Sequence, residues 1–234
     1  MFHHLWRSLR FMAPADTALF LKSAKTDDAI KRWRSEVGER AAFENAYTTF
    51  DDPWAAASPR YRYQSWKYDR LIECLPKGRR FSHALDLGCG LGLLSARLAP
   101  RADRVTGIDI AQAAVDRATA RASALKNVRF MQGDAADLPH SLDGQFDLVV
   151  VADTFYYLPP PITPATLEKM ASRVAELLVP GGLCLLANHY FFSLDADSRL
   201  SRRIHDAFKN SSQFRVATES RRPFYIITTL DRVG

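Results

Sequence analysis

Cysteine is scarce in this 234-residue sequence: Cys74, Cys89 and Cys184 are widely spaced, odd in number and form no Cys-x-x-Cys pair. A disulfide framework is thereby excluded, and the thiols read as buried groups in a reducing compartment, the cytoplasm. No stretch approaches the roughly 18 consecutive apolar residues that a membrane-spanning helix needs. Residues 1–15 carry Arg7 and Arg10 and no acid, but no apolar core follows them, which argues against a secretory signal and for a frayed or helical extension. His3, His4, His83, His140 and His205 have no metal-ligand spacing, so no metal site is expected. Repeats and low-complexity tracts are absent. What is present is a globular composition, 47% apolar and 25% charged, with a net charge of +6. The middle of the chain, 84–187, is slightly acidic between two basic flanks. The basic residues are scattered, which reads as a solvated surface rather than a nucleic-acid track.

Apolar spacing predicts a helix over 17–46, with Leu19, Phe20, Ile30, Trp33, Val37, Ala41 and Ala42 toward one face. Asp51-Asp52-Pro53-Trp54 breaks it, because proline lacks an amide donor and restricts its predecessor. A second helix is expected over 59–75. From there the pattern alternates: strands at 83–87, 104–109, 128–132, 146–152 and 183–187, helices at 91–99, 112–125 and 165–178. The fourth strand is nearly all apolar, as a strand buried on both faces should be. Residues 199–208 read as helix, and 214–218 and 224–229 as strands whose short link forces them antiparallel. The expected fold is α/β, a Rossmann-like seven-stranded sheet in which five parallel strands are closed by an antiparallel hairpin edge, with helices on both faces. Residues 1–80 form a helical extension and lid, residues 81–234 the sheet domain.

Leu85-Asp86-Leu87-Gly88-Cys89-Gly90-Leu91-Gly92 ends the first strand and opens a helix, where open α/β sheets bind ligands. Gly88, Gly90 and Gly92 let the backbone turn sharply and approach a ligand, and the helix start is expected to offer free amides. The spacing G-x-G-x-G departs from the dinucleotide fingerprint, with Leu93 where the third glycine would stand. Asp86 would repel a pyrophosphate and suits a ligand carrying an ammonium group. Asp109 ends the second strand, where a carboxylate can accept bonds from both hydroxyls of a ribose. Asp134 ends the third and could accept from an adenine amino group. The three strand ends together describe an acidic site for a cationic, ribose-bearing ligand.

Asp86-Leu-Gly-Cys-Gly-Leu-Gly92, Val105-Thr-Gly-Ile-Asp109, Gly133-Asp134-Ala135, Phe146-Asp-Leu-Val-Val-Val-Ala-Asp153 and Leu178-Val-Pro-Gly-Gly182 span about residues 81–190. As an ordered set they resemble the motifs of class I S-adenosylmethionine-dependent methyltransferases. The resemblance implies a seven-stranded sheet with its last strand antiparallel and S-adenosyl-L-methionine as cofactor. It implies that Gly88, Cys89, Gly90 and Gly92 approach the methionine moiety and that Asp109 holds the ribose. Ile110 would pack on the adenine, flanked by Asp134 and Ala135. Asp52-Pro53-Trp54, Arg60-Tyr61-Arg62-Tyr63 and Val151-Ala-Asp-Thr-Phe-Tyr-Tyr-Leu158 resemble the nodulation protein S subfamily. That narrower resemblance implies N-methylation of the amino-sugar end of a chitooligosaccharide. The chain departs from it in a longer N-terminal extension and in Asn188-His189-Tyr190.

Methyl transfer from a sulfonium is an in-line displacement, and well-held geometry lowers such a barrier by ~7–11 kcal/mol. An amine acceptor must also lose a proton. Asp153, ending the fourth strand, reads as an anchor for the acceptor or the methionine amine, or as a cap for the next turn. Tyr156 and Tyr157 read as an aromatic wall or as plain packing. His189 reads as the general base or as a satisfied histidine, and Trp54 and Tyr63 as part of a lid over the cofactor or as packing of the N-terminal helices. The acceptor expected is an amino sugar, an oligosaccharide or another small amine. The alternatives are an RNA methyltransferase, an O-methyltransferase of a small metabolite, a nicotinamide oxidoreductase and a non-catalytic module. The strand-four ending lacks the Asn-Pro-Pro-aromatic signature and no Arg/Lys run is present, which argues against nucleic acid. The glycine spacing and Asp86 argue against nicotinamide. Oligomeric state is not legible.

Overall fold

The computed structural model describes residues 14–191, 194–222 and 224–234. Residues 1–13 of the expected extension, with His3 and His4, lie outside the described residues. The stretch expected as one helix over 17–46 is two, α1 (Pro14–Val37) and α2 (Glu39–Thr49), because Gly38 takes a left-handed φ of +82° between them. After the Asp52 turn, α3 (Arg62–Glu73) leads into β1 (Phe81–Leu87). Then follow α4 (Leu93–Leu98), β2 (Ala102–Asp109), α5 (Gln112–Arg121), β3 (Val128–Gln132) and β4 (Phe146–Ala152). The remainder is α6 (Pro164–Leu177), β5 (Leu178–His189), α7 (Ala196–Asn210), β6 (Phe214–Arg221) and β7 (Tyr225–Arg232).

The seven strands form one sheet in the order β3-β2-β1-β4-β5-β7-β6. β1 to β5 pair in parallel, and β7 runs antiparallel to both β5 and β6. This is the fold the alternation predicts: five parallel strands and a hairpin, with β7 slotted inside and β6 left at the edge. β5 is longer than the sequence suggests. Pro180, Gly181 and Gly182 bulge out of a continuing strand, so that Phe146 faces Leu178 while Leu148 already faces Leu183. α6 begins on a capping box between Thr163 and Thr166 with Pro164 in its first turn, and α7 begins where Asp195 accepts the Ser198 amide at 2.7 Å.

β4 explains why its sequence is apolar throughout. Val149 and Val151 pack into a core with Leu167, Met170 and Val174 of α6 and Ile204 and Phe208 of α7. Leu148 and Val150 point the other way, into a core with Leu71 of α3 and Leu94 and Leu98 of α4. Alternate residues thus serve opposite faces of one covered sheet. A third, smaller cluster joins Ile30 of α1 and Phe43, Ala46 and Tyr47 of α2 to Leu91, Ala111 and Ala114. It seats the N-terminal helices over the carboxyl ends of β1 and β2, which makes the roof of the cavity described next.

Candidate active site

A cavity of about 220 Å³ opens between α1, α2 and the turn around Trp54 on one side and the ends of β1, β2, β3 and β4 on the other. The loop after β1 forms its floor. Gly88, Gly90 and Gly92 all hold positive φ, 77°, 52° and 72°. At Gly88 a Cβ would stand 2.2 Å from Thr154 Oγ1, and at Gly90 2.8 Å from the Tyr47 hydroxyl. Only glycine fits at either position. The amides expected to be free are not: Gly88 and Cys89 donate to the Ile108 carbonyl, Gly90 to Asp109 and Gly92 to the Cys89 carbonyl. The loop therefore offers close approach of backbone rather than an anion nest.

Gly88, Cys89, Gly90, Asp109, Ile110, Asp134, Ala135 and Asp153 line this cavity together with Trp54 and Tyr156. Asp109 accepts from the Gly90 amide at 2.8 Å and the Ala111 amide at 3.0 Å, one on each oxygen. Burial still pushes its carboxyl up to about 6. Asp134 accepts the Ala136 amide at 2.8 Å through one oxygen. Four expected residues are not on the wall. Asp86 is 2% exposed behind the loop, where it accepts from Ser95 Oγ at 2.5 Å and burial raises its carboxyl to about 6. Gly92 packs against Phe130 and Ala118, and a Cβ there would stand 2.7 Å from the Phe130 ring. Tyr63 and His189 line a separate cavity, taken up below.

Several residues of the site carry no motif. Lys67 of α3, only 3% exposed, pairs with Oδ2 of Asp153, while Oδ1 accepts the His189 amide at 2.9 Å. Asp153 adopts a left-handed φ of +56°, an uncommon conformation for a residue other than glycine. Three fixed partners for one residue, the Ala187 carbonyl included, hold it there. On the roof, one oxygen of Asp27 accepts from Trp54 Nε1 at 2.8 Å and from the Tyr157 hydroxyl at 2.7 Å. Trp54, Tyr157 and Phe43 meet around that carboxylate as an aromatic cluster, with ring centroids 5.3–6.4 Å apart. Asp52 closes its own turn by accepting the Ala56 and Ala57 amides, both at 2.8 Å. Nothing in the local sequence announces Lys67 or Asp27, since each acts across more than 25 residues of chain.

Residues 84–182 match the methyltransferase domain family. Over that stretch the chain is similar to methyltransferase domains. Among relatives of this domain, the ubiquinone biosynthesis O-methyltransferase of Alkalilimnicola ehrlichii is 31% identical over 162 residues, which is 67% of this chain and 62% of that protein. Nodulation protein S of Rhizobium tropici is 28% identical over 66% of this chain and 60% of its own length. The chain thus spans about three-fifths of these curated relatives. The crystal structure of N-methyltransferase NodS from Bradyrhizobium japonicum WM9 in complex with S-adenosyl-L-homocysteine superposes with a TM-score of 0.66. That likeness covers 79% of this chain and 94% of NodS at 20% identity, and it carries the fold. Among the described residues, no helix is long and apolar enough to cross a membrane.

Proposed function

We propose that this protein transfers the methyl group of S-adenosyl-L-methionine to the amine of an amino sugar or another small amine. The observation that carries the reading is one cavity in which the Cβ-free loop of Gly88 and Gly90 lies beside three strand-end carboxylates, Asp109, Asp134 and Asp153. The donor, when bound, supplies an electrophilic methyl on a positively charged sulfur. This donor set fits it: both Asp109 oxygens keep acceptor capacity beyond their amide bonds and suit two ribose hydroxyls. The unused oxygen of Asp134, with Ala135 and Ile110, suits the amino group and face of an adenine. Gly88, Cys89 and Gly90 give the methionine moiety its close backbone contact, and Trp54 closes over it. Asp86 and Gly92 act from behind, holding the loop's shape.

Acceptor chemistry is assigned to the junction of β4 and β5. Asp153, fixed by Lys67 and the His189 amide, orients the incoming amine. Tyr156 remains a neutral phenol at working pH, because burial raises it well above its ordinary range, so it serves as a wall and a hydrogen-bonding group. His189, joined to Asp153 through its backbone and facing the neighbouring cavity, takes the amine's proton. Incubation with labelled S-adenosylmethionine and a panel of amino sugars, alkylamines, phenols and carboxylates tests this. Label is expected on an amine. Label on a phenol would replace the reading by O-methylation, the activity in the name of the Alkalilimnicola relative. Absence of S-adenosylhomocysteine binding by calorimetry would end it.

A further inference from the structure

The carboxylate at the acceptor end of the first cavity does not stand alone. Asp153 lines that cavity with 22% of its side chain exposed, while Lys67, which lines neither cavity, is 3% exposed. Among the described residues, Asp153 is the one side chain that the Lys67 ammonium bonds, through Oδ2. Oδ1 accepts the His189 amide at 2.9 Å. Each oxygen keeps a further lone pair, so the carboxylate can still accept a hydrogen bond from a group in the cavity. Its charge, however, is already compensated by a buried partner.

The phenols around Asp153 add no charge. Tyr61, Tyr63, Tyr68, Tyr156 and Tyr157 are all held above their ordinary range by burial, and the Asp153 charge pushes each of them the same way. The His189 ring lies with Tyr63 in the second cavity, of about 380 Å³, where its Nε2 stands 3.8 Å from Asp195. Asp27 of α1 turns its carboxylate to the Trp54 and Tyr157 donors. Lys67 and Asp153 thus make a closed pair of no net charge. An acceptor entering as an ammonium finds no unpaired carboxylate at Asp153, and beside a positively charged sulfur it meets its own sign.

We propose that Lys67 is a specificity-determining residue: by neutralising Asp153 it makes the acceptor site take a neutral amine and reject the ammonium form, an inference that rests on the methyl-transfer reading above. In the transfer, the amine's lone pair forms the new N–C bond while the electron pair of the breaking C–S bond returns to sulfur. The positive charge passes from sulfur to nitrogen, and one N–H proton then leaves for the His189 imidazole assigned above. A hydrogen bond from the amine N–H to Asp153 strengthens as that charge arrives, so the contact favours the transition state over the ground state. A lone carboxylate would do the reverse. It would hold the ammonium, whose nitrogen has no lone pair to give.

Calorimetric titration of the full chain saturated with S-adenosylhomocysteine, which lacks the sulfonium charge, isolates the effect of this pair. The probes are phenethylamine and cyclohexylamine, which ionise at about pH 10 as a lysine does, and their uncharged counterparts 2-phenylethanol and cyclohexanol. In the unaltered chain, affinity for the amine that fits should rise about tenfold per pH unit from 7 to 9, because only the neutral form binds. The alcohols should show no slope. Lys67→Met should bind the amine roughly tenfold more tightly at pH 7 and lose the slope, since its carboxylate now pairs with the ammonium. Lys67→Met/Asp153→Asn, which leaves no orphaned charge and so folds even where the single variant fails, should restore the slope. Amine affinity flat with pH in the unaltered chain, a slope shared by the alcohols, no amine bound at any pH, or a slope absent from the double variant would overturn the role of Lys67 and leave the donor reading standing. A chain that binds no S-adenosylhomocysteine would overturn the donor reading, and the selectivity with it.

Discussion

At the scale of single residues, Asp109 concentrates the consequences. Its carboxylate holds the glycine loop through Gly90, starts α5 through Ala111 and still faces the cavity. Asp109→Ala should weaken S-adenosylhomocysteine by about 2–3 kcal/mol, a hundredfold loss in calorimetry, because hydrogen bonds to a charged group are the strong kind. The pH dependence has a definite sign. Burial raises this carboxyl to about 6, so below that pH the group is protonated and a poorer acceptor. Ligand hydroxyls favour the ionised form, so affinity should climb as pH rises through 6 and level off by about pH 7. In Asp109→Asn the profile should be flat over the same range; a slope that persists would place the titrating group elsewhere. Asp109 was legible from its position at a strand end. Lys67 was not, because a lysine in a helix reads as a solvated residue until the fold brings a carboxylate to it.

At the scale of elements, the roof helices are tied across the site by hydrogen bonds and by the third apolar cluster. α1 and α2 meet at Gly38, and Arg34 of α1 bonds Glu39 at 2.7 Å and the Leu158 carbonyl at 2.9 Å. The Asp27 carboxylate is a further tie, holding Trp54 and Tyr157 together, and Arg117 of α5 donates to the Phe50 and Asp51 carbonyls at 2.7 and 2.9 Å. Asp27→Ala should therefore loosen the roof without touching the sheet. Hydrogen exchange in α1 and α2 should quicken roughly thirtyfold, equivalent to about 2 kcal/mol, while β1 to β5 exchange as before. Uniform acceleration across the chain would mean that the roof is not a separate unit. Element type was readable from the sequence, because strands buried on two faces leave an apolar run and helices leave a period. Boundaries were less so. Gly38 sits inside a helical pattern that continues on both sides of it, and Pro180-Gly181-Gly182 signals a turn yet lies within β5 as a bulge.

For the whole molecule, the two large cores on either face of the sheet contain no described residue before Tyr63, whereas the third cluster depends on α1 and α2. We infer that residues 14–57 form a cap whose role is to complete the cavity. A chain beginning at Ser58 should keep the strand signature of the sheet in circular dichroism and lose at least a hundredfold in S-adenosylhomocysteine affinity, since Tyr47, Trp54 and Phe43 leave with the cap. Retained affinity would show that the strand ends suffice and that the roof serves something else.

Periodicity and glycine spacing are properties of adjacent residues, so the sequence alone determined the α/β class, the parallel core with its hairpin, and the carboxylates at successive strand ends. Partnerships across the chain are decided by topology. Only the tertiary structure could set Lys67 on Asp153, turn Asp86 inward onto Ser95, fill the loop's amides from within and place His189 and Tyr63 in a cavity of their own. The physical reason is common to all four. A polar group's role depends on what desolvates it and what it meets, and both are set by segments far away in the chain.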